Sequence, residues 1–298
     1  MPALLMANPR ILITGARGQL GLSFRHLAAQ FPDWYFHYVD VDGLDITHRK
    51  AVFSFFKTLQ PDWCINCAAY ALVDKAESEP ALARRVNVRG VKNLADACAA
   101  AGIPLVHFST DYVYHGQRNL PYREADPVSP KSVYARTKLA GDRAALRANP
   151  LSMVIRTSWL YSPWGNNFLL TMLRLGAQRP ELRVVFDQCG TPTYAPDLAL
   201  AVLQVVQQVE NNRVGRPAIG GIWHYSNEGV ASWYDFAKAI FDLRNMPCQV
   251  WPIESKDFPT PVERPPFSVL NKAKIKAAFG LEIPYWREAL ERCLAELD

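Results

Sequence analysis

The sequence predicts an α/β protein: a doubly wound parallel sheet with a smaller, discontinuous C-terminal lobe. Short apolar segments alternate with segments of helical spacing through the first half of the chain, and a glycine-rich turn joins the first such pair. Repeated strand–helix–strand order produces a parallel sheet that helices cover on both faces. Right-handed crossovers between the strands make that sheet doubly wound. After Trp159 the prolines become denser and the alternation stops, which indicates a less regular second part.

The elements can be assigned in chain order. The predicted strands are RILITG (10–15), WYFHYVD (34–40), WCINCAA (63–69), PLVHFST (104–110), SMVIRTSWLY (152–161) and IWHYS (222–226). The predicted helices are 19–31, 48–60, 81–102 and one that opens near Tyr134. Pro61 ends the second helix because proline cannot continue it, and Gly102 ends the third because glycine accepts the left-handed cap.

IWHYS is predicted to be a buried strand of the central sheet, so it interrupts the second, less regular part of the chain. We therefore expect one domain from residues 1–160 and about 196–226. The substrate lobe is expected from residues about 161–195 and 227–298.

Composition and charge narrow the class of protein. The chain has 298 residues, of which 49% are hydrophobic and 20% charged, as in ordinary globular proteins. The net charge of +5 is spread along the chain, whereas nucleic-acid binding requires clustered basic residues. No segment reaches the ~20 apolar residues of a membrane span, and Pro9 and Arg10 interrupt the start of the chain. We expect a cytoplasmic protein with neither a nucleic-acid nor a membrane partner.

Cys64 and Cys67 form a C-x-x-C pair, which can indicate a metal or redox site. They lie in the apolar segment DWCINCAAY, and no second pair follows at zinc spacing. We therefore assign both thiols to the core of a buried strand.

The segment TGARGQLG (14–21) follows the first strand and opens the first helix. Gly15 allows the tight turn, Gly18 lets the backbone approach a pyrophosphate, and Gly21 lets the helix pack on the strand. The helix N-terminus then offers N–H groups and a positive dipole to the phosphates. This context predicts a Rossmann-type domain that binds NAD(P), and the absence of a following Gly-Lys-Ser/Thr argues against a nucleoside triphosphatase.

Two acidic residues and one basic residue bear on the choice of cofactor. Asp40 ends the second strand and could hold the ribose 2′-hydroxyl of NAD, while Asp45 lies where it could meet the adenine. Arg17 lies inside the glycine loop and could instead hold the 2′-phosphate of NADP. The sequence does not decide whether NADPH or NADH is the preferred cofactor.

Polar and small residues lie where two neighbouring strands end, and ligands bind at such carboxyl ends in doubly wound sheets. Ser109, Thr110 and Asp111 end one strand; Ala68, Ala69 and Tyr70 end the strand before it. The small residues would allow a flat ring to lie against the backbone.

The helix that follows, in SVYARTKLAGD, places Tyr134 and Lys138 on one face, four residues apart. Such a pair also occurs by chance, but here it faces Thr110 at the strand end. A tyrosine has a pKa of about 10, and a nearby ammonium would lower it toward the working range. We predict that Tyr134 donates a proton to a carbonyl oxygen, that Thr110 positions that oxygen, and that Lys138 also binds the nicotinamide ribose.

Together with TGARGQLG and STDYVY, the Tyr-x-x-x-Lys pair resembles the extended short-chain dehydrogenases/reductases. Longer segments resemble the dTDP-4-dehydrorhamnose reductases of that family, which reduce a 4-keto sugar nucleotide to dTDP-L-rhamnose. The segments are NCAAYALVDKAESEP, HFSTDYVYHG, VYARTKLAGD, IRTSWLYSPWGNNFLLTML, DQCGTPT, SWYDFA and PTPVERPPFSVL. They extend over nearly the whole chain.

The resemblance implies a role for individual positions. Those matching cofactor contacts are Gly18, Gln19, Leu20, Asp45, Ile46, Ala68, Ala69, Tyr70, Tyr134 and Lys138. Those matching substrate contacts are Thr110, Asp111 and Trp159, and the catalytic residues are Thr110, Tyr134 and Lys138. Arg264, in PTPVERPP, is expected to meet the nucleotide-sugar diphosphate because a guanidinium suits phosphate.

Some members of this family dimerise through Mg²⁺, using a Glu two residues after the third loop glycine. Ser23 occupies that position here, so a metal-bridged dimer is doubtful and we predict no metal site. A monomer and a homodimer both remain open.

Two other functions compete with the reductase. Nucleotide-sugar dehydratases of the same fold carry Thr-Asp-Glu, whereas this chain has Thr110, Asp111 and Tyr112. DQCGTPT and SWYDFA favour a reductase over an epimerase. The regulatory subunit of methionine adenosyltransferase resembles these reductases and binds NADP, but an intact Thr110, Tyr134 and Lys138 favours an enzyme.

Overall fold

A computed structural model describes residues 8–116 and 118–297. The strands are β1 (Arg10–Thr14), β2 (Tyr35–Val39), β3 (Trp63–Asn66), β4 (Leu105–Thr110), β5 (Ser152–Thr157), β6 (Leu160–Tyr161), β7 (Glu181–Val185), β8 (Cys189–Gly190), β9 (Thr193–Tyr194), β10 (Gly221–His224), β11 (Ala231–Ser232) and β12 (Gln249–Ile253). The helices are α1 (Gln19–Leu27), α2 (Arg49–Leu59), α3 (Lys75–Ser78), α4 (Pro80–Arg84), α5 (Val91–Ala101), α6 (Val133–Ala148), α7 (Phe168–Gly176), α8 (Ala195–Glu210), α9 (Trp233–Leu243), α10 (Ala273–Phe279) and α11 (Trp286–Ala295). Residues 1–7, which belong to the start of the chain considered above, lie outside the described residues.

The central sheet has six strands in the order β2-β1-β3-β4-β5-β10, and neighbouring strands are parallel. The strand order reverses at β1, between β2 on one side and β3 on the other. The carboxyl ends of β1 and β3 therefore border the crevice in which doubly wound sheets bind their ligands. The predicted α/β class is confirmed.

Helices cover both faces of this sheet. On one face, Ile11 and Ile13 of β1 pack with Phe24 of α1 and with α8. On the other face, Leu12 packs with Val52 of α2 and with α5. Alternate residues of β1 thus enter two cores, so its residues 11–13 are all apolar, as is typical of parallel sheets with both faces buried.

A third core lies away from the sheet. It joins Tyr161 and Leu169 to Phe236 of α9 and Leu290 of α11. The short pairs β7–β12, β6–β9 and β8–β11 belong to the same part of the chain. Residues 275, 279 and 281 pack on the sheet instead, with the core that contains α1.

Two predicted elements are interrupted. The predicted helix 81–102 divides into α4, a π-helical segment (Arg85–Gly90) and α5. The irregular turn carries Asn87, whose side chain binds the main chain of Tyr70 and the hydroxyl of Thr137. A Cβ at Gly141 of α6 would lie 2.1 Å from the Asn87 carbonyl oxygen, so α6 packs against the π turn with no room for a side chain at residue 141.

The predicted strand 152–161 also breaks, because β5 ends at Thr157 and β6 begins at Leu160. Trp159 lies between them with φ of +47°, in the left-handed region that few bulky residues adopt. In the part of the chain that the structure describes, no helix is both long and apolar enough to cross a membrane.

Candidate active site

At two of its three glycines, the glycine loop makes backbone contacts that leave no room for a side chain. Gly15 has φ of +64°, and a Cβ there would lie 2.5 Å from the nitrogen of Ala68. A Cβ at Gly21 would lie 2.5 Å from the carbonyl oxygen of Gly15. Gly18 is the N-cap of α1, whose first turn contains no acidic side chain. The N-terminus of α1 therefore presents main-chain N–H groups that suit an anionic ligand.

Two cavities follow the carboxyl ends of the strands and share Gly18, Cys67, Ala68 and Ala69. The first, of about 330 Å³, is completed by Gly15, Asp40, Val41, Leu44, Asp45, Ile46, Thr47 and Val86. The second, of about 380 Å³, includes Gln19, Leu20, Asn66, Phe108, Ser109, Thr110, Asp111, Tyr112, Tyr134, Lys138, Trp159 and Trp233. The shared glycine and alanines make these cavities neighbours along one trough, which fits an extended dinucleotide.

Asp40 and Arg17, which the sequence places in opposition, are bound to each other. The Arg17 main-chain N–H donates to Asp40 Oδ2 at 2.9 Å, and its guanidinium lies 3.5 Å from Asp40 Oδ1 and 2.8 Å from Asp42. Burial raises the pKa of Asp40, but these N–H groups and that of Val41 outweigh it and hold the pKa below its usual value. Asp40 is therefore a carboxylate at neutral pH.

Asp45 and Ile46 line the first cavity. Asp45 Oδ1 accepts the Thr47 N–H at 2.8 Å, and its Oδ2 lies 3.1 Å from His48 Nδ1. These contacts fix the turn before α2. Ile46 is buried, and its side chain fills the space that Gly90 leaves open.

The end of β3 forms the middle of the trough. Ala68 and Ala69 line both cavities, as does Cys67, which we expected only in the core. Cys64 is fully buried among apolar residues. Tyr70 lines neither cavity; its hydroxyl donates to Glu79 at 2.6 Å.

Thr110, Tyr134 and Lys138 line the second cavity together. Ser132 caps α6 by accepting the Ala135 N–H, so α6 begins one residue before Tyr134. The Thr110 hydroxyl donates to Asp111 Oδ1 at 3.1 Å and accepts the Tyr112 N–H at 3.2 Å. The loop after β4 therefore fixes the Thr110 side chain beside α6.

The pKa of Tyr134 differs from the prediction. Burial raises it to about 12, against a hydrogen bond with Thr110 and with added repulsion from Asp111 and Asp142. Lys138 donates to the carbonyl oxygen of Phe108 at 2.6 Å, and burial lowers its pKa to about 8. The prediction that Lys138 lowers the Tyr134 pKa is wrong for this structure because burial dominates. The phenol is therefore protonated at neutral pH.

Asp111 is a second buried acid at this cavity. Its Oδ2 has no hydrogen-bond partner among residues 8–116 and 118–297. Burial raises the pKa of Asp111 to about 7, although the nearby hydroxyls of Ser268 and Thr110 oppose this. An unpartnered carboxyl oxygen in a polar cavity is suited to binding a ligand hydroxyl.

Trp159 lines the same cavity and stacks on Trp233, the first residue of α9. The ring centroids are 3.5 Å apart and the planes differ by 6°. A Cβ at Gly190 would lie 2.6 Å from the Trp159 ring, so that ring is also packed from Gly190. Sequence reasoning missed Trp233, although SWYDFA contains the Ser232–Asp235 capping box that fixes the start of α9.

Arg264 lines neither of these two cavities. Its guanidinium makes a bidentate ion pair with Asp74, at 2.7 and 2.6 Å, and also donates to the carbonyl of Val262. The pair connects the loop before Leu270 to the segment after β3. Asp74, 190 residues away in the chain, was not predicted.

A parallel sheet, a glycine loop at its switch point and a Tyr–Lys pair at the neighbouring cavity together define a dinucleotide-dependent reductase of Rossmann type. Residues 9–298 match the family model of the RmlD substrate binding domain. The chain belongs to this family, and the named relatives below are dTDP-4-dehydrorhamnose reductases.

Relatives of this name share long, nearly complete matches with the chain. The protein of Aggregatibacter actinomycetemcomitans is 42% identical, over 96% of this chain and 98% of its own. The protein of Escherichia coli is 35% identical, over 96% and 97%.

Solved structures agree with the sequence relatives. The crystal structure of a dTDP-4-dehydrorhamnose reductase from Clostridium acetobutylicum is 41% identical and superposes with a TM-score of 0.90, covering 97% of this chain and 99% of that one. The Bacillus anthracis reductase in complex with NADP is 36% identical, with a TM-score of 0.91 over 97% and 100%.

Proposed function

We propose that this chain reduces the 4-keto group of dTDP-4-dehydro-L-rhamnose to give dTDP-L-rhamnose. The observation that carries the proposal is the second cavity, where Thr110, Tyr134 and Lys138 converge beside the trough of the glycine loop. A bound NADPH or NADH supplies the hydride that reaches carbon 4. The chain must then supply one proton to oxygen 4, so that the carbonyl becomes an alcohol.

Tyr134 is the proposed proton donor. With a pKa of about 12 its phenol holds the proton at neutral pH, and only the developing alkoxide is basic enough to take it. Thr110 holds the keto oxygen by a hydrogen bond after its hydroxyl proton turns from Asp111 Oδ1 to that oxygen, and so sets the distance of the carbonyl carbon from the cofactor. Lys138, with a pKa of about 8, remains largely charged and stabilises the phenolate left after proton transfer.

The residues of the trough fit a nicotinamide dinucleotide. Gly15, Gly18 and Gly21 let the main chain approach the pyrophosphate, and Gln19 and Leu20 offer their N–H groups at the start of α1. The remaining proposed contacts are Arg17, Asp40, Asp45 and Ile46 at the adenosine and Ala68 and Ala69 in the segment after β3. Tyr70, the third residue expected there, lines neither cavity.

The substrate is held by residues from several parts of the chain. Asp111 offers its unpartnered carboxyl oxygen to a sugar hydroxyl, and Trp159 offers an apolar ring face. Arg264 binds the diphosphate after its guanidinium leaves Asp74, since guanidinium binds phosphate and carboxylate in the same bidentate geometry. Ser23 is buried and donates to the carbonyl of Gln19, so it offers no ligand to a metal.

The wider setting follows from the same proposal. Residues 1–160 and about 196–226 bind the cofactor, and about 161–195 and 227–298 bind the sugar. The six cysteines are free thiols, which suits a reducing cytoplasm. The working unit is a monomer or a homodimer, and light scattering separates the two.

Purified chain, NADPH and dTDP-4-dehydro-L-rhamnose test the activity directly. NADPH should be oxidised one-for-one with formation of dTDP-L-rhamnose, identified by NMR. dTDP-glucose, which has no keto group, is the matched control. NADPH binding without sugar-dependent oxidation would contradict the proposal and favour a regulatory subunit.

A further inference from the structure

Asp142 lies one turn beyond Lys138 on α6 and continues the face that carries Tyr134. It does not line the second cavity, and only 1% of it is exposed. Its Oδ2 accepts a hydrogen bond from the Ser109 hydroxyl at 2.9 Å and lies 3.5 Å from Arg156 Nε. A carboxylate buried so deeply needs compensating partners, and both partners lie on the strands next to the cavity.

The contacts of Asp142 and Lys138 hold consecutive residues of β4. Lys138 donates to the carbonyl of Phe108, and Asp142 accepts from the next residue, Ser109. Thr110 follows immediately and ends the strand. Two anchors on one helix thus set where Thr110 stands relative to Tyr134.

Arg156 completes the arrangement from β5, where it lies opposite Ser109 in the parallel register. It is 2% exposed and also donates to the Tyr114 hydroxyl at 2.6 Å. Asp142 therefore contacts the buried Arg156 and lies one helical turn from the buried Lys138. Burial raises the pKa of Asp142, and the charges of these two cations oppose that rise and favour the carboxylate.

Two other titratable groups near Lys138 and Asp142, His107 and Cys67, are uncharged. His107 Nε2 lies 3.8 Å from Asp142 Oδ1, and burial holds its pKa well below the usual value, so the ring is neutral. Burial raises the pKa of Cys67 well above its usual value, so the thiol stays protonated. Tyr134 and Asp111 line the second cavity together with Lys138, and Asp111, with a pKa of about 7, is partly ionised at neutral pH, so Asp142 is the carboxylate near Lys138 that lies outside that cavity.

We propose that Asp142 is a positioning residue of the reduction: through Ser109 it places Thr110 against Tyr134, and by its charge it keeps Lys138 protonated. The inference rests on the proposed function of this site. Lys138 loses its proton more easily when the opposing carboxylate is absent, because burial alone favours the neutral amine.

Two variants separate the two roles. Asp142→Asn keeps the shape and can still accept from Ser109, but it removes the charge. The alkaline midpoint of kcat should therefore fall by about one pH unit or more. Ser109→Ala removes the anchor and keeps the charge, so kcat should fall about tenfold while KM for the sugar nucleotide and the alkaline midpoint stay in place.

Asp197→Asn is the matched control, since Asp197 is also buried and paired with an arginine, Arg292, but lies away from both cavities. It should lower the melting temperature and leave the pH profile unchanged. An alkaline midpoint in Asp142→Asn equal to that of Asp197→Asn would overturn the proposal. If Asp142→Asn does not fold, an unchanged kcat in Ser109→Ala overturns it instead.

The pH dependence of NADPH affinity provides a readout without turnover, because Lys138 is proposed to contact the nicotinamide ribose. The alkaline midpoint of NADPH binding should shift to lower pH in Asp142→Asn but not in Asp197→Asn. A wild-type chain that binds NADPH but does not reduce the sugar would contradict the proposed function, while this binding shift would still support the effect of Asp142 on Lys138. An unchanged alkaline midpoint of NADPH binding in Asp142→Asn would overturn that effect.

Discussion

The two halves of the candidate site are built by different means. The half proposed to bind the cofactor, here called the cofactor half, is formed mainly by main chain. Gly15 and Gly21 lie against backbone atoms, and Ala68 and Ala69 keep the trough open. The half proposed to bind the sugar nucleotide, here called the substrate half, is formed by large side chains from distant segments, such as the stacked Trp159 and Trp233. Side-chain atoms added to the cofactor half should therefore disrupt it. In the substrate half, affinity for the sugar nucleotide should decrease gradually as individual side-chain contacts are removed.

The proposed catalytic residues Thr110, Tyr134 and Lys138 lie at the second cavity, and the largest effect is expected there. Tyr134→Phe removes only the hydroxyl, and general acid catalysis contributes ~10²–10⁴-fold. We therefore expect kcat to fall by at least a hundredfold. NADPH affinity, measured by fluorescence titration, should hardly change. Turnover near the wild-type rate would show that another group donates the proton.

Gly15→Ala tests whether the cofactor half is fixed by its main chain. Residue 15 has φ of +64°, and the new Cβ would overlap the backbone of Ala68 at 2.5 Å. The left-handed conformation alone costs ~1–2 kcal/mol, so NADPH affinity should fall at least about tenfold. Gly43→Ala is the control, because its Cβ would meet nothing closer than 3.7 Å. Equal NADPH affinities in the two variants would contradict this view of the loop.

The difference between the halves also explains what the sequence can predict. Strands such as β1 and β3 are short and mainly apolar, and the glycine spacing 15-18-21 reports local backbone geometry, so the sheet and the loop are readable from the sequence. The interruption at Trp159 is not, because its left-handed conformation depends on packing against Gly190 and Trp233. The Asp74–Arg264 pair spans 190 residues and leaves no local pattern.

The pKa of Tyr134 was predicted in the wrong direction for a related reason. Spacing four residues apart correctly places Tyr134 and Lys138 on one helical face, but it does not report burial or where an amine points. Lys138 donates to Phe108 of β4, and burial sets the Tyr134 pKa. Residue spacing therefore identifies the catalytic candidates, while their charge states depend on tertiary structure.

Arg264→Ala tests the substrate half. If Arg264 exchanges Asp74 for the sugar-nucleotide diphosphate, its loss removes a charge-assisted contact worth ~1.5–3 kcal/mol. KM for the sugar nucleotide should rise roughly tenfold, with NADPH affinity unchanged.

Activity after exhaustive chelation provides the accompanying control. Activity should persist, because a diphosphate held by Arg264 needs no divalent ion. The Ser23 hydroxyl is bonded to the carbonyl of Gln19 and offers no ligand for such an ion. Loss of activity on chelation, restored by Mg²⁺, would mean that other carboxylates hold the ion. An unchanged KM in Arg264→Ala would remove this residue from the substrate half.

The smallest expected effect concerns the choice of cofactor, where side chains enter the half that the main chain builds. Asp40 offers a carboxylate suited to the ribose 2′-hydroxyl of NADH, and the exposed guanidinium of Arg17 suits the 2′-phosphate of NADPH. Because the two groups are paired with each other, neither acts alone, and kcat/KM for the two cofactors should differ by less than about tenfold, or ~1.4 kcal/mol. Arg17→Ala should weaken NADPH and leave NADH nearly unchanged, since it removes the phosphate partner and retains Asp40. A thousandfold preference in the wild-type enzyme, in either direction, would show that one side chain controls recognition despite the ion pair.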